Sequence, residues 1–154
     1  MKKWGYEEIT DEVVLQFAKT LELFDLSTSE AHLFAYMYIT NKPLTLDDMS
    51  EVMGKSKTTM STTIRSLLSK NLVDQVWRKG VRKNLYQANH QLFRIFMHNY
   101  LDKWIETASH QKEALEDIKK HLPPRREKTD RIEERLNDII TFHEHIKKTF
   151  RMLG

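Results

Sequence analysis

The residues best placed to do chemistry in this chain are cationic and cluster in one stretch. From Lys55 to Lys83 there are eight basic side chains, Lys55, Lys57, Arg65, Lys70, Arg78, Lys79, Arg82 and Lys83, against Asp74 alone. This stretch carries +7 while the whole 154-residue chain carries +3, so the remainder sums to −4. A basic module on an otherwise slightly acidic protein is the electrostatic footprint of a polyanion binder. Hydroxyl side chains interleave with the cations at Ser56, Thr58, Thr59, Ser61 and Thr62. They are short enough to allow close approach to a duplex groove and can hydrogen-bond base edges or phosphates.

Other chemistries find little to work with. There is no cysteine, which removes disulfides, thiolate metal sites and a cysteine nucleophile together. The seven histidines, at 32, 90, 98, 110, 121, 143 and 145, include no pair four apart on a helix, so no metal site and no cofactor is expected. His143, between Ile139 and Ile146, reads as a polar residue fixing helix register. Four glycines do not form a nucleophile elbow or a phosphate-binding loop, and the carboxylates are spread along helix faces. An enzyme is not expected. No apolar run approaches the roughly 20 residues a membrane span needs. Met1 to Thr10 carries Trp4, Tyr6 and two glutamates in place of a basic-then-apolar leader, so the expected location is the cytoplasm.

Helices and a hairpin must position the basic side chains. After Thr10 and Asp11, Val13, Val14, Phe17, Ala18, Leu21 and Phe24 recur at helical spacing, giving an N-terminal helix within 10–25. Ser27 with Glu30 is a capping box opening a second helix through Ala31, Phe34, Ala35 and Tyr38. Thr45 with Asp48 repeats the pattern for a short helix ending at Gly54. Ser56 then caps a fourth, whose apolar residues Met60, Ile64, Leu67 and Leu68 must face a core. At 100° per residue this turns Thr58, Ser61, Thr62 and Arg65 outward or to the flank, and leaves Lys57, Thr58 and Thr59 in a first turn with free backbone amides. Val73 to Arg78 and Arg82 to Gln87 read as two short strands around Gly80, with Arg78, Lys79, Arg82 and Lys83 at the tip.

Helix, turn, helix and hairpin in that order predict a mainly α, winged helix-turn-helix fold with a two-stranded β-wing. The expected DNA-binding residues are Lys57, Thr58, Thr59, Ser61, Thr62 and Arg65 of the helix and Arg78, Lys79, Arg82 and Lys83 of the wing. The helix fits the major groove, and the wing suits the phosphate backbone or the minor groove. The domain division is 10–89 for DNA binding and 90–154 for helical dimerisation, the N-terminal helix contributing to the latter. Long helices follow Asn89, interrupted by Pro123 and Pro124, and the last carries a heptad-like seam of Ile132, Leu136, Ile139, His143, Ile146, Phe150 and Leu153. A homodimer on a pseudo-palindromic operator of double-stranded DNA follows from that seam. The competing class is a winged-helix protein-interaction module that reads no DNA.

Lys42-Pro43-Leu44-Thr45-Leu46, Ser56-Lys57-Thr58-Thr59-Met60-Ser61 and Gly80-Val81-Arg82-Lys83 resemble MarR-type regulators of the GbsR group, the likeness running from about Glu12 to Ile105. The resemblance implies that the second helix of the motif is the recognition helix and that helices at both chain ends build the dimer. It further implies a repressor of genes for choline uptake and glycine betaine synthesis, with choline as inducer. Phe93, Phe96, Tyr100 and Trp104 form an aromatic stripe at spacings of three and four, with Trp77 on the hairpin before it. Such a stripe serves as core and dimer interface. In the light of the resemblance, Trp77, Phe96, Tyr100 and Trp104 are also expected to form an aromatic cage for a quaternary ammonium, between the DNA-binding module and the helix after Asn89.

Overall fold

In the computed structural model the described residues are 5–124 and 127–153, and they divide into two compact units, one ending at Ile95 and the other beginning at Phe96. Residues 1–4, which include Trp4, lie outside the described residues, as do 125, 126 and 154 at the two ends of the last helix.

The first unit is built on α1 (Tyr6–Glu22), α2 (Thr28–Thr40), α3 (Leu46–Met53) and α4 (Lys57–Ser69), followed by β1 (Val73–Val76) and β2 (Leu85–Ala88). Helix α1 begins four residues before Thr10, the expected start, and ends at Glu22. The Thr10 hydroxyl donates back to the Tyr6 carbonyl at 3.1 Å, so it is an internal helical residue, and Glu7 and Glu8 in the first turn favour the positive end of the helix dipole. The other starts follow their caps. Ser27 and Glu30 satisfy each other's backbone amides at α2, and Thr45 and Asp48 do the same at α3. Helix α3 closes on Gly54 at φ 64°, a left-handed conformation that other residues adopt with strain, and the chain turns directly into α4, capped by Ser56.

Helix α2 is central, with Ala31, Leu33, Phe34, Ala35 and Met37 all buried. Against it pack Ala18 and Leu21 of α1 and Met60, Ile64 and Leu67 of α4, and Met49 of α3, which packs on α4, is buried as well. Each large side chain so buried contributes about 1.5 to 3 kcal/mol. Leu68, expected in this core, is only half-buried, and Thr63 takes an inner position instead. The Thr63 hydroxyl donates to the Thr59 carbonyl at 2.9 Å and lies 3.2 Å from that of Ser29.

Strands β1 and β2 pair antiparallel with Val73 opposite Ala88 and Val76 opposite Leu85. A third chain segment joins them, because Leu44 and Tyr86 exchange both backbone hydrogen bonds at 2.8 and 2.9 Å. The strands are shorter than expected: Trp77, Arg78 and the stretch from Arg82 to Asn84 lie outside the ladder. Residues 77–84 are all exposed, with no neighbouring strand to reward extension, and like charges at their tip favour spreading over pairing.

The second unit consists of the greater part of α5 (Leu92–Lys120) and of α6 (Glu127–Leu153), with Pro123 and Pro124 in the connection. Trp104 stacks edge-on against Phe150 at 5.6 Å, and Lys112 pairs with Glu144 at 2.8 Å, which fixes the two helices as an antiparallel hairpin. The Lys112 ammonium holds its proton more tightly than a free lysine, and the Glu144 carboxyl is held below its usual range, in both cases chiefly through this one hydrogen bond. Of the heptad seam, Leu136 is buried while Ile132, Ile139 and Leu153 are exposed.

Candidate nucleic-acid interface

Helix α4 presents one face to the core and the other to solvent. With Met60, Thr63, Ile64 and Leu67 inside, Thr58, Thr62 and Arg65 are exposed and Ser61 is partly so. Lys57, Thr58 and Thr59 occupy the first turn, all exposed, above the Ser56 cap. The Thr62 hydroxyl bonds back to the Thr58 carbonyl at 3.2 Å, and Arg65 Nε lies 3.3 Å from the Ser61 carbonyl, folded along the helix. These groups therefore lie close to the helix surface, leaving a slender polar ridge with one long cation.

A polar cluster ties the C-terminal end of α4 to the start of α2. The Glu30 carboxylate accepts from Ser66 Oγ and from Lys70 Nζ, each at 2.7 Å, and from the Ser27 amide at 3.0 Å. The residue is 8% exposed. Burial by itself would raise its pKa, but the hydrogen bonds from Lys70, Ser66 and Ser27 outweigh burial and bring it down to about 2. Sequence reasoning found Glu30 as a capping residue only. Its partners Ser66, on α4, and Lys70, just after it, lie 36 and 40 residues away, beyond the reach of local pattern.

At the wing, Arg78, Lys79, Arg82 and Lys83 are exposed around Gly80, whose φ of 83° permits the turn closed by the Val81 amide on the Arg78 carbonyl. Gln75 Nε2 donates to Asn84 Oδ1 at 3.0 Å and clips the neck of the loop. Asp47, in the first turn of α3, joins the wing to α4. Its carboxylate accepts from Lys57 Nζ at 3.0 Å and from Lys83 Nζ. The Lys83 hydrogen bond, then that of Lys57, holds the Asp47 carboxyl below the usual carboxylate range, and Lys83 is correspondingly harder to deprotonate. Sequence reasoning missed Asp47, although an aspartate at the second position of a helix whose neighbour is basic was a visible signal.

The residues expected to bind a ligand fall on both units. Trp77 is on the wing of the first, 80% exposed. In the second, Tyr100 and Trp104 are in contact at 6.0 Å between centroids, with Phe150 completing the cluster, and Phe96 is buried. The heptad pattern marks Phe150 as a seam residue, and the fold adds it to this ring cluster. Among the described residues no three histidine, aspartate or glutamate side chains converge to hold a metal ion, and no helix is long and apolar enough to cross a membrane.

No family model matches the chain. Among curated proteins it is similar to the HTH-type transcriptional repressor GbsR of Bacillus subtilis (strain 168), at 27% identity over 143 residues, covering 93% of this chain and 79% of that protein. It is similar as well to the HTH-type transcriptional repressor OpcR of the same organism, at 26% over 137 residues, covering 87% and 74%. Among solved structures, one described as the crystal structure of a transcriptional regulator superposes with a TM-score of 0.65 over 94% of both chains at 15% identity, which shows a shared fold. The chain has the winged helix-turn-helix fold, and its relatives make it a DNA-binding transcriptional regulator, a non-enzymatic class.

Proposed function

We propose that the protein is a homodimeric repressor that sets α4 in the major groove of each half of a pseudo-palindromic operator and lays the wing on the flanking backbone. The observation that carries this reading is the exposed face of Thr58, Ser61, Thr62 and Arg65, held at a fixed angle by the buried Glu30 cluster and flanked by the cations of residues 78–83. A rigid polar ridge beside a basic hairpin matches groove and backbone together. The repressor assignment draws on the names of the two relatives. Dimerisation is supported by Ile132, Ile139 and Leu153, apolar and exposed along α6 of a single protomer.

Osmoprotectant genes as targets, and choline or a similar quaternary ammonium as effector, are supported by the resemblance to the GbsR group. The Tyr100, Trp104 and Phe150 rings supply the kind of surface such a cation prefers. Footprinting the promoter upstream of the protein's own gene, with and without choline, tests the whole reading. Protection of two half-sites about one duplex turn apart, relieved by choline, is expected. Equal, salt-insensitive and weak binding to every duplex would instead support a protein-interaction module.

A further inference from the structure

Asp47 is an acidic residue at the centre of a basic surface, and its two partners both belong to the DNA-binding set. It lines a hollow of about 290 Å³ with Leu46, Lys57, Arg82 and Lys83, where α3, the first turn of α4 and the wing meet. Neither the cap of α3 nor the core requires it. Thr45 caps the helix and Asp48 completes the box, while the Asp47 side chain is 40% exposed. Its visible contacts are the two ammonium groups, one from each DNA-contacting element.

We infer that Asp47 is a built-in competitor for phosphate: its carboxylate ties Lys57 to Lys83 in the free protein and must be displaced or shared when a duplex backbone enters the hollow. The inference rests on the reading of α4 and the wing as the duplex-binding surface. A phosphate approaching these lysines meets the carboxylate's negative charge as well as their positive ones, so affinity for any duplex is lowered. The penalty bears most heavily on non-operator DNA, where backbone charge supplies essentially all of the binding. On an operator, base contacts fix the protein in one place, and lysines already held at one spacing lose less freedom on meeting their phosphates. Asp47 is thus a positioning residue that exchanges general affinity for discrimination.

Asp47→Asn keeps the size of the side chain and both caps of α3. It is expected to raise affinity for a non-operator duplex on the order of threefold to tenfold at low salt, and to steepen the dependence of log K on log salt by roughly one. Operator affinity should rise less, so the ratio between the two narrows. Asp47→Glu should restore the parent ratio. In a Lys57→Met, Lys83→Met background the same Asp47→Asn change should have no effect, because the groups it releases are gone. If the parent binds duplex and Asp47→Asn leaves both the non-operator affinity and the salt slope unchanged, the inference falls while the DNA-binding reading stands. A parent that binds no duplex at all overturns both.

Discussion

Glu30 and Lys70 are 40 residues apart in sequence and 2.7 Å apart in space, joining the N-terminus of α2 to the residue that follows α4. The same carboxylate caps its own helix through the Ser27 amide, so one buried group sets both where α2 begins and how α4 lies across it. An ion pair of this kind adds little net stability by itself, since desolvation offsets attraction. Its consequence is geometric: α4 cannot roll on the core without leaving a buried carboxylate short of donors.

Acid should therefore destabilise the first unit through this carboxylate. The Glu30 pKa is lowered from 4.5 to about 2, so its contribution to stability is fully present above about pH 4.5 and is lost as pH falls toward 2. A lowering of that size corresponds to about 3 kcal/mol. Glu30→Gln is expected to destabilise the first unit by about 1 to 3 kcal/mol at pH 7 and to flatten stability against pH between about 4.5 and 2. Chemical denaturation at several pH values measures this. A variant whose stability fell with acid as steeply as the parent's would place the acid-sensitive contact elsewhere.

Arg82 and Arg65 should fail differently. Arg82, at the exposed tip of the wing, is proposed to meet phosphate alone, so Arg82→Ala should weaken binding to all sequences alike and reduce the salt slope by about one. Arg65 lies on the outward face of α4, where it can reach a base edge. Arg65→Ala should cost about 1 to 3 kcal/mol on the operator and relax preference at one base pair of each half-site. Titrations of operator and scrambled duplex over a salt series separate the two patterns. Identical behaviour of both variants on both duplexes would remove the division of labour between helix and wing.

The seam on α6 offers a test that leaves the protomer intact. Ile139 is 46% exposed, so a carboxylate there can reach water at modest cost to the protomer's own packing. In a two-fold interface the substitution counts twice. Ile139→Glu should weaken dimerisation by about 3 kcal/mol or more, roughly a hundredfold in Kd, and reduce operator affinity in step. Sedimentation at micromolar concentration should then show monomers with unchanged helicity. A variant that remained dimeric would move the interface off this face of α6.

The helices that carry the proposed interface were legible because their signals are local. Ser27 with Glu30, Thr45 with Asp48, Gly54 and Ser56 mark the ends of α2, α3 and α4 within a few residues of themselves, and the apolar period fixed the inner face of α4 apart from Thr63 and the half-buried Leu68. Thr63 escaped because a threonine counts as polar in any periodicity, although inside a helix its hydroxyl can bond the carbonyl four residues back and so be buried without loss. The Leu44 bridge escaped for a different reason. A single pair of residues has no alternation to detect, and only the position of Tyr86 after folding reveals it. Charge counting had its own blind spot. It began at Lys55, eight residues after the aspartate that neutralises part of the module, and linear counting cannot see that Lys57 and Lys83 meet at Asp47. Contacts between elements decide the electrostatics here, and no window along the chain contains both partners.

The proposed effector surface stands on Trp104. The residue is 42% exposed, in contact with Tyr100 at 6.0 Å and edge-on to Phe150 at 5.6 Å, so it is held by two rings and still meets solvent. Each ring contact to a quaternary ammonium contributes about 0.5 to 2 kcal/mol, and useful affinity therefore needs several rings, each of which should be felt when removed. A ligand can release the operator only through different affinities for the DNA-competent and DNA-incompetent arrangements. Trp104→Ala is expected to abolish choline-dependent release while leaving operator binding without choline intact. Trp77→Ala and Phe96→Ala ask in the same assay whether those rings take part. For the parent, a ligand at a hundred times its Kd stabilises the folded protein by about 2.7 kcal/mol, a readily measured rise in Tm. No heat in calorimetry and no rise in Tm at millimolar choline or glycine betaine would return Tyr100, Trp104 and Phe150 to a purely packing role between α5 and α6.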